Sequence, residues 1–233
     1  MANVHRYGLR FVRAISGTDS PQIFTFPIVS GYAPNTIDGG GGTAVNLNIG
    51  DPVRFRQDGT LRLVQTGQDV AGANSAQADY AFGVVVGFPR IIVSNAPRPG
   101  SFYTSGTTYS GGIGADVAPL VSIIPAAGNI FEIDTDAVVG AGTKGAALGV
   151  VGQTAKIAYS VLTSGTGQPK ANPLLGVSTL STDGTIQSQL LVVGLGKLGD
   201  VMDFTASNLT FQVMFSAVQL QPVNMAAIFG AQN

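Results

Sequence analysis

Three carboxylates alternate with apolar or uncharged residues in the stretch 131–136, FEIDTD. If this stretch is a strand, Glu132, Asp134 and Asp136 project from one face. Calcium binds oxygen clusters of this kind, but the glycine and the distal glutamate of an EF-hand loop are missing. Two other roles remain open. The carboxylates form a solvated face, or they receive arginines from a neighbouring copy through charge-assisted pairs that set subunit register.

Other candidate motifs for catalysis are weak. The sequence GAGTKG at 140–145 matches the dinucleotide pattern G-x-G-x-x-G, but a chain with 32 glycines meets this pattern easily by chance. His5 is the only histidine and lies in the N-terminal stretch, so a Ser-His-Asp triad would depend on an unanchored residue. One glutamate and no tryptophan argue against a two-carboxylate glycosidase. We therefore expect no enzymatic activity, no cofactor and no metal.

The clearest hairpin pattern lies at 53–63, where apolar residues alternate with arginines around the turn signal Asp58-Gly59. A three-residue loop pairs Phe55 with Leu61 and keeps every apolar side chain on one face. The arginines of the hairpin share the other face: Arg54, Arg56 and Arg62. Like charges that face each other across strands are destabilising. These arginines are either solvated or placed to meet carboxylates of another chain.

The composition indicates a protein that assembles. Charged residues make up 11% of the 233 residues and hydrophobic residues 45%. A free monomer of this composition would expose much apolar surface, which other subunits would cover in an assembly. The net charge of -1 argues against a nucleic-acid partner. The apolar runs are too short to cross a membrane, and the N-terminal stretch lacks the apolar core of a signal peptide.

Short apolar stretches separated by glycine and turn signals predict an all-β protein of small barrel or sandwich units with extended terminal arms. The expected segments are an N-terminal arm at 1–44, a small β-barrel-like unit at 45–97, a flexible loop at 98–116, a β-sandwich-like unit at 117–220 and a C-terminal tail at 221–233. The arm either docks on a neighbouring copy or packs on its own chain. A short helix is expected only within 65–81.

The expected strands are short apolar stretches, and GVVVG at 83–87 indicates a buried strand between glycine turns. They are 7–15, 23–29, 83–87, 117–124, 129–134, 147–151, 155–163, 174–180, 186–193 and 209–215. In the last of these strands, Leu209, Phe211, Val213 and Phe215 fall on one face.

Several short sequences resemble capsid cement proteins, also called head decoration proteins, of tailed bacteriophages. They are FEID at 131–134, LLVVGL at 190–195 and the aromatic strand at 209–215. The order GDPVRF, DGTL and GVVVGF between 50 and 88 is similar to phage head proteins as well. The resemblance implies a β-rich homotrimer on the exterior of the virion capsid, made and assembled in the host cytoplasm. It implies that the major capsid protein is the partner, and that the chain braces neighbouring capsomers against internal DNA pressure.

We assign contacts to this hypothesis from the charge pattern. The expected capsid contacts are Arg6, Arg10, Arg13, Arg54, Arg56 and Arg62. The expected acidic face between subunits is Glu132, Asp134 and Asp136. The alternative function is a tail or fibre component that binds a host receptor, which the Tyr-, Ser- and Gly-rich stretch 101–114 favours. Neither nucleic acid nor membrane is an expected partner.

Overall fold

The computed structural model describes residues 8–17, 20–28, 46–55, 61–64, 80–93, 96–104, 118–162, 170–182, 188–196, 203–216 and 218. The described strands are β1 (Arg10–Ala14), β2 (Phe24–Pro27), β3 (Leu47–Asn48), β4 (Pro52–Phe55), β5 (Leu61–Leu63), β6 (Gly83–Val93), β7 (Ala96–Gly100), β8 (Phe102–Tyr103), β9 (Leu120–Pro125), β10 (Asn129–Asp134), β11 (Thr154–Ala155), β12 (Ile157–Leu162), β13 (Lys170–Leu175), β14 (Leu190–Leu195) and β15 (Thr210–Phe215). One short helix, α1 (Lys144–Gly149), lies between β10 and β11.

The strands form two large antiparallel sheets, which confirms the all-β prediction. The five-stranded sheet has the order β1-β10-β15-β14-β11. The six-stranded sheet has the order β2-β9-β6-β4-β5, and β7 also pairs with β6. Two small sheets join β12 with β13 and β3 with β8. Because β6 pairs with β9, strand pairing crosses the stretch 98–116 that was expected to separate two units. The proposed unit boundaries stay a prediction.

The pair β6–β9, which we call the central pair, is buried on both faces at Val84, Val85, Ile123 and Ile124. Val84 lies opposite Ile124, and both belong to the core shared with the five-stranded sheet. Val85 lies opposite Ile123, and both belong to a second core on the other side. This arrangement explains why GVVVG at 83–87 is apolar without alternation, since a strand buried on both faces has no solvent side. The six-stranded sheet therefore serves two cores at once.

The predicted alternation of β15 is confirmed. Leu209, Phe211, Val213 and Phe215 are all buried in the core between the two large sheets. The ring of Phe215 meets Phe131 of β10 edge to face, with ring centres 5.7 Å apart. Burial of each such side chain contributes about 1.5–3 kcal/mol, so this face of β15 anchors the five-stranded sheet.

The predicted register of the β4–β5 hairpin is also confirmed. Phe55 lies opposite Leu61, and Arg54 lies opposite Arg62. Phe55 is buried, and its ring packs edge to face against that of Phe82, with ring centres 4.7 Å apart. A shift of one residue would have moved this ring to the opposite face, so the hydrophobic pattern together with the turn signal was enough to select the register.

Two expected strands are wrong. The stretch 147–151 was expected to be extended, but α1 covers Lys144–Gly149. Thr143 caps this helix, because its Oγ1 accepts a hydrogen bond from the N–H of Ala146 at 3.2 Å, and alanine favours the helical state. The expectation that a helix occurs only within 65–81 is therefore also wrong, and residues 65–79 lie outside the described residues. The described part of the chain contains no helix long and apolar enough to cross a membrane.

The second wrong expectation is the strand at 174–180. The strand β13 ends at Leu175, and a 3-10 helix follows at Val177–Thr179. The hydroxyl of Thr179 donates to the carbonyl of Gly176 at 2.7 Å and accepts from the N–H of Lys156 at 2.8 Å. These local bonds offer the backbone an alternative to a strand ladder.

Residues 8–28 are called the N-terminal segment, and its described parts, 8–17 and 20–28, pack on the rest of their own chain through β1 and β2. Pro27 ends β2, which pairs only with β9 among the described strands, as suits a proline at a sheet edge. At the start of the segment, Gly8 contacts Gly50 backbone to backbone, and both have positive φ angles, 73° and 93°. The N–H of Leu9 then donates to the carbonyl of Gly50 at 2.9 Å.

The contact between Gly8 and Gly50 gives a direct test with a matched control. A Cβ placed on Gly8 would lie 2.7 Å from the Cα of Gly50, whereas a Cβ on Gly17, with φ 86°, would meet nothing within 4 Å. Both Gly8→Ala and Gly17→Ala should lose about 1–2 kcal/mol for the left-handed backbone. Gly8→Ala should lose a further ~1–3 kcal/mol from the clash. Urea unfolding measures the loss of unfolding free energy in each variant. Equal losses for the two variants would contradict the close packing of Gly8 against Gly50.

Candidate functional site

The carboxylates of β10 meet an arginine of the same chain. Arg10 lies directly opposite Glu132 in the β1–β10 register. Its Nη2 atom is 3.7 Å from Oε2 of Glu132 and 3.5 Å from Oδ1 of Asp134. Asp134 is 2% exposed and accepts a hydrogen bond from the hydroxyl of Thr210 at 2.7 Å. The structure thus joins one expected capsid contact to two residues of the expected acidic face, within one chain.

The third carboxylate, Asp136, lies beyond the end of β10 and is exposed. Its Oδ1 accepts a hydrogen bond from the N–H of Val177 at 2.8 Å, and its own N–H donates to the carbonyl of Leu175 at 3.1 Å. Asp136 therefore ties the end of β10 to the turn after β13. Among the residues that the structure describes, no group of three histidine, cysteine, aspartate or glutamate side chains could hold a metal ion.

The other arginines assigned to capsid contacts occupy different settings. Arg13 is exposed and follows an irregularity in the β1–β10 ladder. Arg54 is partly buried on β4, so the hairpin face is less open than expected. Arg62 has its backbone in β5, opposite Arg54, and its side chain is outside the described set. Arg6 and Arg56 also lie outside the described residues. Capsid contact by these arginines stays a prediction.

A buried aspartate in the turn before β4 was missed in the sequence. Asp51 is 1% exposed. Its Oδ2 accepts a hydrogen bond from the N–H of Asn48 at 2.7 Å, and its own N–H donates to the carbonyl of Asn48 at 3.2 Å. Gly50 supplies the positive φ that the third position of a type II turn requires. The sequence Asn-Ile-Gly-Asp does carry this turn signal, but it does not show that the aspartate is buried.

Burial raises the pKa of Asp51 well above the usual value for an aspartate, and the hydrogen bonds from Asn48 offset only part of that rise. The turn is fixed to the central pair, because the N–H of Gly50 donates to the carbonyl of Val85 at 2.8 Å and the N–H of Val85 donates to the carbonyl of Asp51 at 2.9 Å. Ionisation of Asp51 therefore acts on a turn that touches both the N-terminal segment and the centre of the six-stranded sheet.

The described surface exposes several large apolar side chains. They are Ile15, Ile23, Phe24, Ile49, Tyr80, Phe102, Val138, Leu148 and Val151. Three flank or lie within the edge strands of the N-terminal segment, and three lie around α1. Ile49 and Phe102 are close along the small sheet, since Asn48 pairs with Phe102. Scattered apolar residues are normal on a surface, and in this sequence only 11% of the residues are charged.

Substitution of Arg10 tests whether its ion pairs stabilise the fold. Arg10→Met keeps the aliphatic length but leaves the buried Asp134 without its cation, so we expect a loss of about 1–3 kcal/mol in unfolding free energy. Arg13→Met on the same strand removes an exposed charge and should change stability by less than about 0.5 kcal/mol. Urea unfolding compares the two variants. Similar values for both would show that the ion pairs with β10 contribute little.

The buried Asp51 predicts an unusual pH dependence of stability. The pKa of Asp51 in the folded chain lies above the unfolded value of about 3.9. The contribution of Asp51 to the free energy of unfolding is therefore fully present below the unfolded pKa and is lost as pH rises through the folded pKa. Asp51→Asn stays neutral and can still accept from Asn48, so its unfolding free energy should fall less than that of the natural chain as pH rises from about 4 to about 8.

Asp203→Asn is the control for this experiment. Asp203 is fully exposed, and the hydroxyl and N–H of Thr205 lower its pKa. It is ionised in both states above pH about 5, so its substitution should leave the slope of stability against pH unchanged there. Urea unfolding at a series of pH values gives the slopes. Parallel curves for Asp51→Asn and the natural chain would contradict the role of the buried carboxyl.

No protein-family model, curated protein or solved structure matches the chain.

Proposed function

We propose that the chain is a structural virion protein that binds the outside of a tailed-phage capsid. It cements neighbouring subunits of the major capsid protein against internal DNA pressure. The observation that carries this proposal is the set of nine large apolar side chains exposed among the described residues, in a sequence with only 11% charged residues. Such a surface is poorly suited to a free monomer and well suited to contact with other chains. The resemblance of its short motifs to cement proteins supports the same class.

The division of the charges fits this role. Arg10 is engaged by Glu132 and Asp134 of its own chain, whereas Arg13 on the same strand is exposed. Arginine forms bidentate hydrogen bonds with carboxylates, so an exposed arginine on an apolar surface fits an acidic group on the major capsid protein. In this proposal the apolar side chains provide contact area, and arginines such as Arg13 set its position on the shell.

A homotrimer would strengthen a modest contact. Each contact with the shell is weakened by the entropy lost on association. When several contacts act from one oligomer, their effective concentration is high, and the gain in avidity is on the order of 10²–10⁴. The role is non-enzymatic, requires no cofactor, and places the chain on the capsid exterior after assembly in the host cytoplasm. Neither nucleic acid nor membrane takes part.

The copy number of the chain in purified virus particles tests the proposal. A protein that coats the shell should be present at about one copy per major capsid protein subunit, since each equivalent shell position offers the same contact. Quantitative mass spectrometry of the particles measures this ratio.

Heads purified without tails are the control, and they should keep the full copy number. A ratio of a few copies per hundred shell subunits would overturn the cement role. Loss of the chain together with the tails would favour the alternative, a tail or fibre component that binds a host receptor.

A further inference from the structure

The N-terminal segment supplies an edge strand to each of the two large sheets. β1 pairs with β10 at one end of the five-stranded sheet, and β2 pairs with β9 at one end of the six-stranded sheet. Among the described strands, neither β1 nor β2 lies between two others. Removal of the segment would therefore leave every other described strand pair in place. Its strands add to a body that is already formed by the central pair and by β10, β14 and β15.

The segment is nevertheless bound by specific contacts. Leu9 is 3% exposed and lies in the core between the sheets. The N–H of Gly8 donates to Oδ1 of Asn172 at 3.1 Å. In β2, the ring of Phe26 packs edge to face against the rings of Phe55 and Phe82. The ring centres are 4.9 Å and 5.6 Å apart, respectively. Every partner in these contacts is present on every copy of the chain, so the segment of a second copy would find an identical site.

The exposed residues favour a position of the segment between two copies. Ile15, Ile23 and Phe24 are three of the nine large apolar side chains exposed in the described residues. They lie where β1 leads towards β2. In an isolated chain this connection places apolar side chains in water, whereas a connection that runs between two copies would cover them.

The chain between the segment and the body has a sequence that permits exchange. Residues 29–45 separate Ile28 from Asn46 and include the glycine run 39–42. Seventeen residues span at most roughly 60 Å when fully extended, which exceeds the size of a small domain. Length and composition therefore do not confine the segment to its own body.

We propose that residues 8–28 are exchanged between copies of this chain, so that β1 and β2 of one copy complete the two sheets of the next. A single chain makes these strand pairs internally, and the assembled oligomer makes the same pairs between copies. Exchange conserves all the contacts of the segment and adds contacts for the exposed connection, which makes it a low-cost route to an oligomer. The proposal rests on self-association alone and does not require binding to a capsid.

Disulfide trapping tests the exchange, because the natural chain contains no cysteine to compete. Thr25 lies opposite Ser122 in the β2–β9 ladder, and their side-chain oxygens are 3.3 Å apart. This proximity suits a disulfide, which joins Cβ atoms about 3.5–4.5 Å apart. The double variant T25C/S122C is purified in full length, oxidised and separated on a denaturing gel without reductant, and peptide mapping identifies the linked residues.

The expected result is that the 25–122 disulfide joins different chains, so that most linked protein runs as dimers or larger species. A monomer band that carries the 25–122 disulfide would overturn the proposal. Co-expression of T25C and S122C as separate chains with different tags sharpens the test. Exchange gives a disulfide between the two tagged chains at these positions, whereas internal pairing leaves both chains unlinked.

A control pair lies in the body of the chain. Leu191 and Met214 face each other across β14 and β15, so L191C/M214C should form its disulfide within one chain. If T25C/S122C does not fold, P27C/L120C tests the same ladder at its other end. The readout uses the purified chain without shells. If the 25–122 disulfide forms within single chains while virus particles carry the full copy number of the protein, the strand exchange is wrong and the cement role stands. If the disulfide joins different chains while particles carry only a few copies per hundred shell subunits, the cement role is wrong and the exchange stands.

Discussion

The fold depends on a strand pair whose centre is buried on both faces. Val84 and Ile124 point into one core while their neighbours Val85 and Ile123 point into the other, so β6 and β9 bind two layers of side chains at once. Gly83 lies at the start of this pair, where a Cβ would come within 2.3 Å of the carbonyl oxygen of Ile124. The requirement for burial on both faces selects small and β-branched residues here. The turn at Asp51 forms hydrogen bonds with β6 of this pair, and β2 of the N-terminal segment pairs with β9.

The sequence predicts those parts of the fold that depend on neighbours along the chain. The hairpin register followed from alternation and one turn, and the buried face of β15 followed from its period of two. The helix α1 was missed because a single threonine cap and a pair of alanines outweigh the apolar content of its stretch. The pairing of β6 with β9 could not be predicted, because the two strands are far apart in the sequence and the local pattern of a strand does not indicate which strand it pairs with.

The same limit applies to the charged residues. The sequence shows that Glu132 and Asp134 share a face of a strand, but it does not show which strand lies beside them. Once β1 takes that position, Arg10 reaches both carboxylates, and a charge cluster that looked available to a neighbour gains an internal partner. Asp51 shows the converse. Its turn is visible in the sequence, while the buried position of Asp51 and the hydrogen bonds of the turn to Leu9 and Val85, which are far along the chain, are not.

This distribution separates the interactions that hold the chain together from those available to other chains. The acidic side chains of β10 and the turn of Asp51 are engaged inside one copy, where low solvent exposure makes each lost partner costly. The surface keeps exposed apolar side chains and an exposed arginine at Arg13, which suits weak contacts repeated over a large array. Among the described residues, the buried carboxyl of Asp51 belongs to the turn that is bonded to the central pair, and the exposed apolar side chains lie in or beside several strands and α1. In the structural role that we propose, the groups engaged inside one copy keep the body stiff, and the exposed side chains supply the area for repeated contact.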